Sequence, residues 1–332
     1  RMADCSKEKA AKIEKIAAFY PRVKKLKISD CISDNVTVST MHGCPPDEVE
    51  KIGRYFVEER KLHTTIKLNP TLLGAEGVRG ILNDKLGFKT QIPDLAFDHD
   101  LKYPDGVALI KSLLESAKKV GVEFNIKLTN TLETQNDEQD LPDNEQMVYM
   151  SGRSLHPISI NLAKRLQDEF EGELDISFSA GTSYDNVASI LSCNLKPITT
   201  CSDLLRPGGY GRLSQYLEKL SEAFSEAGAD NIDDFVVARS GSTQEVNKAG
   251  WVNLEKYAKT VVNDGNFKKE SYPYDNIKTP TELGAFDCIQ APCMTTCSAS
   301  QDIPSYLYYT AQGDYARARK VILETNPFPN IQ

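Results

Sequence analysis

The sequence is short of the features that mark several large protein classes. No run approaches the ~20 consecutive apolar residues that a bilayer-spanning helix needs, so no membrane span is expected. There is no basic excess: 39 Lys and Arg stand against 47 Asp and Glu, a formal net charge of −8. Proteins that grip a phosphate backbone carry a basic face, so nucleic acid is not an expected partner. Eight cysteines in 332 residues are too sparse for a disulfide scaffold. A Walker loop, a G-x-G-x-x-G turn and a nucleophile elbow are all absent. The chain opens on Arg1, and 7–19 reads as an amphipathic helix instead of an apolar signal core, so the cytoplasm is the expected compartment. The last residues, Asn326-Pro-Phe-Pro-Asn-Ile-Gln332, form a Pro-rich turn without a closing element, and truncation at both ends is expected.

What is present is the composition of an ordinary globular protein, 40 % hydrophobic and 26 % charged. The length is about twice the ~150-residue domain mode, which suggests one large domain or two. Strand-like and helix-like segments alternate. Residues 36–40, 64–68, 124–129, 174–179 and 196–200 read as strands, with a possible sixth near 88–95. Residues 47–60 (capped by Asp47), 107–120, 158–170, 184–192 and 213–227 read as helices. That alternation predicts parallel strands joined by right-handed crossovers. Polar residues collect just after the strands, where a (β/α)₈ barrel binds its ligands. Five firm strands do not close eight, so the expected fold is α/β. It is a partial (β/α)₈ TIM barrel lacking its first strands over 1–227, although an open doubly wound sheet has the same pattern.

Two strands echo each other: Ile66-Lys67-Leu68-Asn69 and Ile126-Lys127-Leu128-Thr129-Asn130. A Lys inside an apolar strand needs an anionic or hydrogen-bonding partner. Either it points into the barrel mouth to meet a ligand, or it makes an internal ion pair or lies on a solvated edge. The expectation favours the ligand, more so for Lys67 than for Lys127. Cys44 reads as a packed thiol, His42 as a possible rim contact, and His63, His99 and His156 as loop or helix-start residues.

Residues 228–284 change character, mixing Asp- and Gly-rich turns with a helix around 251–262, and read as a linker with local helices. Residues 285–332 then hold Cys288, Cys293 and Cys297 at C-x₄-C-x₃-C spacing, followed by two helices broken at Gly313. Zinc usually draws a close C-x₂-C pair, which is missing here. Ligands four and three residues apart suit a cubane iron–sulfur cluster better, and three unliganded thiols are the plain alternative.

At this point the sequence resembles known families. Gln290-Ala-Pro-Cys293-Met-Thr-Thr-Cys297, Asp302-Ile-Pro304, Gly313-Asp-Tyr315 and Asn326-Pro-Phe-Pro329 resemble the all-α iron–sulfur domain of dihydropyrimidine dehydrogenase and the glutamate synthase small subunit. That domain begins C-x₂-C-x₄-C-x₃-C. Its first cysteine falls on Ala285 and its following proline on Ser298, so the ligand set for its two [4Fe–4S] clusters is incomplete in this chain. The first two-thirds resembles the dihydroorotate dehydrogenase-like flavin barrel. The resemblance implies that Lys67, in Lys67-Leu-Asn-Pro70, meets the flavin ring and that Asn130-Thr131 matches its N-T pair. It also implies that Gly181 and Ser202 stand at the phosphate turns of an FMN site. Tyr184 is expected to crowd the first of those turns.

Barrel and cluster module in this order, with Ser39-Thr-Met-His-Gly-Cys-Pro-Pro46, most resemble a family of long iron–sulfur flavoproteins described as selenate reductases. The resemblance implies that FAD and NAD(P)H bind a domain outside this chain, and that its partners are the rest of its own polypeptide or other redox proteins. The expected function is therefore a segment of an NAD(P)H-dependent oxidoreductase that passes electrons through clusters. The alternative is a non-catalytic scaffold built on a degenerate barrel.

Overall fold

The computed structural model describes residues 4–39, 43–136, 145–205, 209–271, 293–294, 297–327 and 329. Its centre is a parallel sheet of β1 (Asn35–Ser39), β2 (His63–Leu68), β3 (Phe124–Leu128) and β6 (Ile176–Phe178), neighbours in that order. A parallel bridge from Phe178 to Ile198 adds the start of a fifth stave. Each stave pairs in parallel with the next stave in the chain, the order that successive βα units produce. The fold is thus α/β with consecutive staves of a TIM barrel, followed by a helical region.

The two faces of the sheet differ. Ile66 and Leu68, with Phe124, Ile126 and Leu128 and with Ile176 and Phe178, are buried together in the main core. Helices Tyr103–Val120 and Leu155–Glu169 cover that face with Ile110, Leu113, Ile158 and Leu162. The opposite face carries Thr65 and Lys67, Asn125 and Lys127, and Ser177, aligned by register. Since side chains alternate along a strand, a single residue step separates an apolar outer wall from a polar interior.

Most expected helices form within a few residues of the expected limits. Pro46–Arg54 starts one residue before Asp47, because Pro is pre-set for a first helical turn, and Asp47 and Glu48 then sit at its positive end. The possible strand at 88–95 does not form: that stretch is a connection leading into the short helix Asp94–Asp98. The polar stretch after β3 instead contributes β4 (Leu132–Gln135), which pairs antiparallel with β5 (Met147–Met150).

The expected linker contains packed elements. Helix Ile232–Ser240 is capped by Asn231, whose side chain accepts from the Asp234 amide. Its Phe235 is fully buried and stacks on Phe224 at 4.5 Å. Helix Val246–Val261 lies against Leu155–Glu169 and gives Leu254, Ala258 and Val261 to the main core, followed by Phe267. Gly250 sets its approach: a Cβ there would lie 2.5 Å from Asn194 Cβ and 3.0 Å from Cys193 O. The connection therefore belongs to the barrel's packing through Phe267. Farther on, Ile303–Ala311 and Tyr315–Thr325 are capped by Asp302 and Asp314 and separated at Gly313, whose φ of +74° suits glycine.

Candidate functional site

The strand ends open on a cavity of about 380 Å³. Lys67, Asn130, Thr131, Gly181 and Ser202, drawn from four separate loops and strands, all line it. Ligand sites typically run to several hundred Å³, so the cavity has room for a mononucleotide-sized molecule.

Lys67 and Lys127 stand in register on β2 and β3 and are both half-buried. Burial pushes both below the ordinary ammonium range, and the charge of Lys67 lowers Lys127 further. The described residues lining the cavity include no Asp or Glu. Two like charges therefore share one wall of the cavity, an arrangement that an anionic ligand would stabilise.

Asn130 occupies a different role from a simple ligand donor. Its Oδ1 accepts from the Ser39 hydroxyl at 2.7 Å, and its Nδ2 donates to Asn69 Oδ1 at 2.7 Å and to Lys67 O at 3.3 Å. Asn69 Nδ2 in turn donates to the buried Asp100 at 3.1 Å, which also accepts from Thr71 Oγ1 and the Gly43 amide. This chain of bonds ties the ends of β1, β2 and β3 together under the cavity.

The far wall is the turn Ala180–Gly181–Thr182 with the segment Thr199–Ser202. Gly181 has φ +59°, and a Cβ there would lie 2.5 Å from Gly152 O and 3.0 Å from His156 Cβ. Only glycine fits. Thr182 is 4 % exposed, and its hydroxyl has no hydrogen-bond partner among the described residues. A buried hydroxyl left unpaired beside a cavity costs about 1–3 kcal/mol, which a ligand acceptor would remove. Tyr184 does not crowd this turn: it is not in the lining, and Lys219 Nζ lies over its ring at 5.9 Å. Beneath the second segment, Asp203 is buried, accepts from Tyr216 Oη at 2.7 Å and pairs with Arg212 at 3.1 Å. Thr200 Oγ1 donates to Thr182 O at 3.2 Å, so the two turns are tied to each other.

Sequence reasoning missed three parts of this site. His156 is fully buried, touches Ala180 O and has its pKa lowered to about 4 by burial. Tyr257, from the expected linker, contacts His156. The Asp203–Arg212–Tyr216 group was legible only as scattered polar residues. Cys44 is half-buried against the main core, and burial, then Glu48 and Asp47, push its thiol up, so it is not poised as a nucleophile. His42 and Cys288 lie outside the described residues. Cys293 is exposed and Cys297 half-exposed, and the Cys297 amide donates to Cys293 O at 3.2 Å.

No helix of the described residues is long and apolar enough to cross a membrane. Residues 1–269 match the family model described as oxidoreductase YgfK, N-terminal TIM-barrel domain. Residues 265–332 match dihydropyrimidine dehydrogenase domain II, 4Fe–4S cluster. Over 306 residues the chain is 40 % identical to "Putative oxidoreductase YgfK" of Escherichia coli (strain K12), and equally to the protein of that name in Escherichia coli O157:H7. The alignment takes in 92 % of this chain and 28 % of the relative's length, so the chain spans little more than a quarter of the curated relatives it matches. On the match of residues 1–269, the chain belongs to the YgfK oxidoreductase family, with a TIM-barrel domain followed by a 4Fe–4S domain.

Proposed function

We propose that the barrel cavity holds FMN and that Cys288, Cys293 and Cys297 ligate [4Fe–4S] clusters. In this reading the chain is the redox segment of an NAD(P)H-dependent iron–sulfur flavoprotein of the selenate reductase type, working in the cytoplasm. FAD and NAD(P)H are handled outside this chain, and the electron partners are the rest of its own polypeptide or other redox proteins.

One observation carries the reading: two half-buried lysines, in register on adjacent strands, face one cavity together with the buried Thr182 hydroxyl, which has no hydrogen-bond partner among the described residues. The residues present fit FMN, which when bound supplies one- and two-electron chemistry, while iron–sulfur clusters supply single-electron transfer. Lys67 and Lys127 would neutralise negative charge on the flavin ring. Gly181, Thr182 and Ser202 would hold the phosphate, with Gly181 leaving room for close approach. Asn130 and Thr131 would shape the wall between the two ends. Cys293 and Cys297, one turn apart, suit thiolate ligation once deprotonated.

The test is anaerobic purification of the full-length protein, followed by flavin extraction and by iron and acid-labile sulfide analysis. Expected are extractable FMN and iron with sulfide, the iron falling in Cys293→Ser and Cys297→Ser. A colourless protein without iron or flavin removes the redox reading and leaves a scaffold.

A further inference from the structure

Two consecutive carbonyls of the Ala180–Thr182 turn are held from behind by buried side chains. His156 Nδ1 lies 2.9 Å from Ala180 O, and His156 Nε2 lies 2.8 Å from the Tyr257 hydroxyl. A carbonyl oxygen only accepts, so Nδ1 carries the proton. The imidazole is fully buried and its pKa is lowered to about 4, so it is neutral and has one N–H. Nε2 is therefore the acceptor, and the Tyr257 hydroxyl donates to it. One residue further, Asn186 Nδ2 donates to Gly181 O at 2.9 Å, while Asn186 Oδ1 accepts from the Ser183 amide at 2.8 Å.

The Ala180–Gly181 and Gly181–Thr182 peptides are trans. In a trans peptide, C=O and N–H point in opposite directions. Holding Ala180 O against buried His156 therefore turns the Gly181 N–H the other way. Holding Gly181 O against buried Asn186 does the same for the Thr182 N–H. Both residues line the cavity, and neither amide has an acceptor among the described residues. Successive N–H groups turned toward one cavity make an anion-binding concavity.

We infer that Tyr257 and His156 are positioning residues for this cavity: the hydroxyl–imidazole chain, with Asn186, sets the peptide planes that present the Gly181 and Thr182 amides to the ligand's anionic end. The inference rests on the reading of the cavity as an FMN site. It makes helix Val246–Val261 a working part of the pocket. The imidazole is also fixed by its neighbours. Phe267 stacks on it at 5.0 Å and 21°, and Phe178 meets it edge-on at 5.5 Å.

The test measures FMN dissociation constants by fluorescence titration of the whole chain. Tyr257→Phe keeps the ring and removes the donor, and is expected to weaken FMN about five-fold, the worth of one hydrogen bond. His156→Asn breaks the same chain, so it is expected to weaken FMN at least as much as Tyr257→Phe, and adding Tyr257→Phe to it is expected to change nothing more. A merely structural role would lower melting temperatures and leave FMN affinity unchanged, and that result overturns the inference. If wild type binds no FMN, the functional reading fails separately. The positioning claim is then decided by ¹⁵N resonances. His156 is expected as the Nδ1–H tautomer, and the Gly181 amide resonance is expected to shift in Tyr257→Phe. An unmoved Gly181 resonance overturns it.

Discussion

Lys67 on β2 is the register partner of Lys127 on β3, and the two ammonium groups share one cavity wall. Neighbouring like charges are costly in a half-buried site, and a ligand anion offsets that cost. Replacing either lysine by Met is expected to weaken FMN by about ten-fold, or ~1.4 kcal/mol. The pH dependence follows from the direction of the shifts. Both pKa values lie below the ordinary lysine value, so the charge that attracts the anion disappears before pH reaches that value. FMN affinity is expected to fall as pH is raised from neutrality toward about 9.5, and to fall less in Lys127→Met. Fluorescence titration across that range is the measurement, and a flat wild-type profile counts against the lysines.

His156 gives the opposite pH response in stability. Its pKa is about 4 in the fold, against an ordinary value near 6.5, and burial is the leading cause. Between those values the unfolded chain binds the proton that the fold excludes. The stabilisation is thus fully present above pH 6.5 and is lost as pH falls toward 4, about 3 kcal/mol in all. Urea unfolding at pH 7 and pH 5 is expected to show wild type losing ~2 kcal/mol more than His156→Gln over that step. Equal losses in the two proteins would mean that His156 is not held neutral.

Much of the architecture could be read from local pattern. The alternation of β-branched strands and amphipathic helices gives the staves in order, because each crossover is short and its helix period differs from that of the strand. Lys67 and Lys127 stood out because a cation in an apolar strand demands an explanation, and both line the cavity. The antiparallel pair β4 and β5 was hidden because each strand is only four residues long and β4 is mostly polar. His156 was illegible for another reason. Its environment comes from Ala180, Tyr257 and Phe267, residues 24, 101 and 111 positions away, and nothing local distinguishes a helix-start histidine from a buried one. The same limit governed the stretch 228–267: a helix period shows that an apolar face exists, but not which surface covers it.

That last point leads to a prediction about where the barrel domain ends. If 228–267 were only a spacer, a chain cut after Ala227 would fold as well as a longer one. Leu254, Ala258, Val261 and Phe267 instead fill the main core, and Asn253 Nδ2 donates to both Ser192 O at 2.7 Å and Val236 O at 2.9 Å. Removing them uncovers Ile158, Leu162 and Leu166 along with the Ser192 carbonyl that Asn253 satisfies. A chain ending at 271 is expected to unfold cooperatively, whereas one ending at 227 is expected to aggregate or to lack a cooperative transition by circular dichroism. Gly250→Val tests the same docking surface with a single change. Its side chain would press on Asn194 and on the Cys193 carbonyl, and such overpacking costs roughly 1–3 kcal/mol. A Gly250→Val protein as stable as wild type, together with a folded 227-residue chain, would return the segment to the status of a spacer and detach Tyr257 from the pocket.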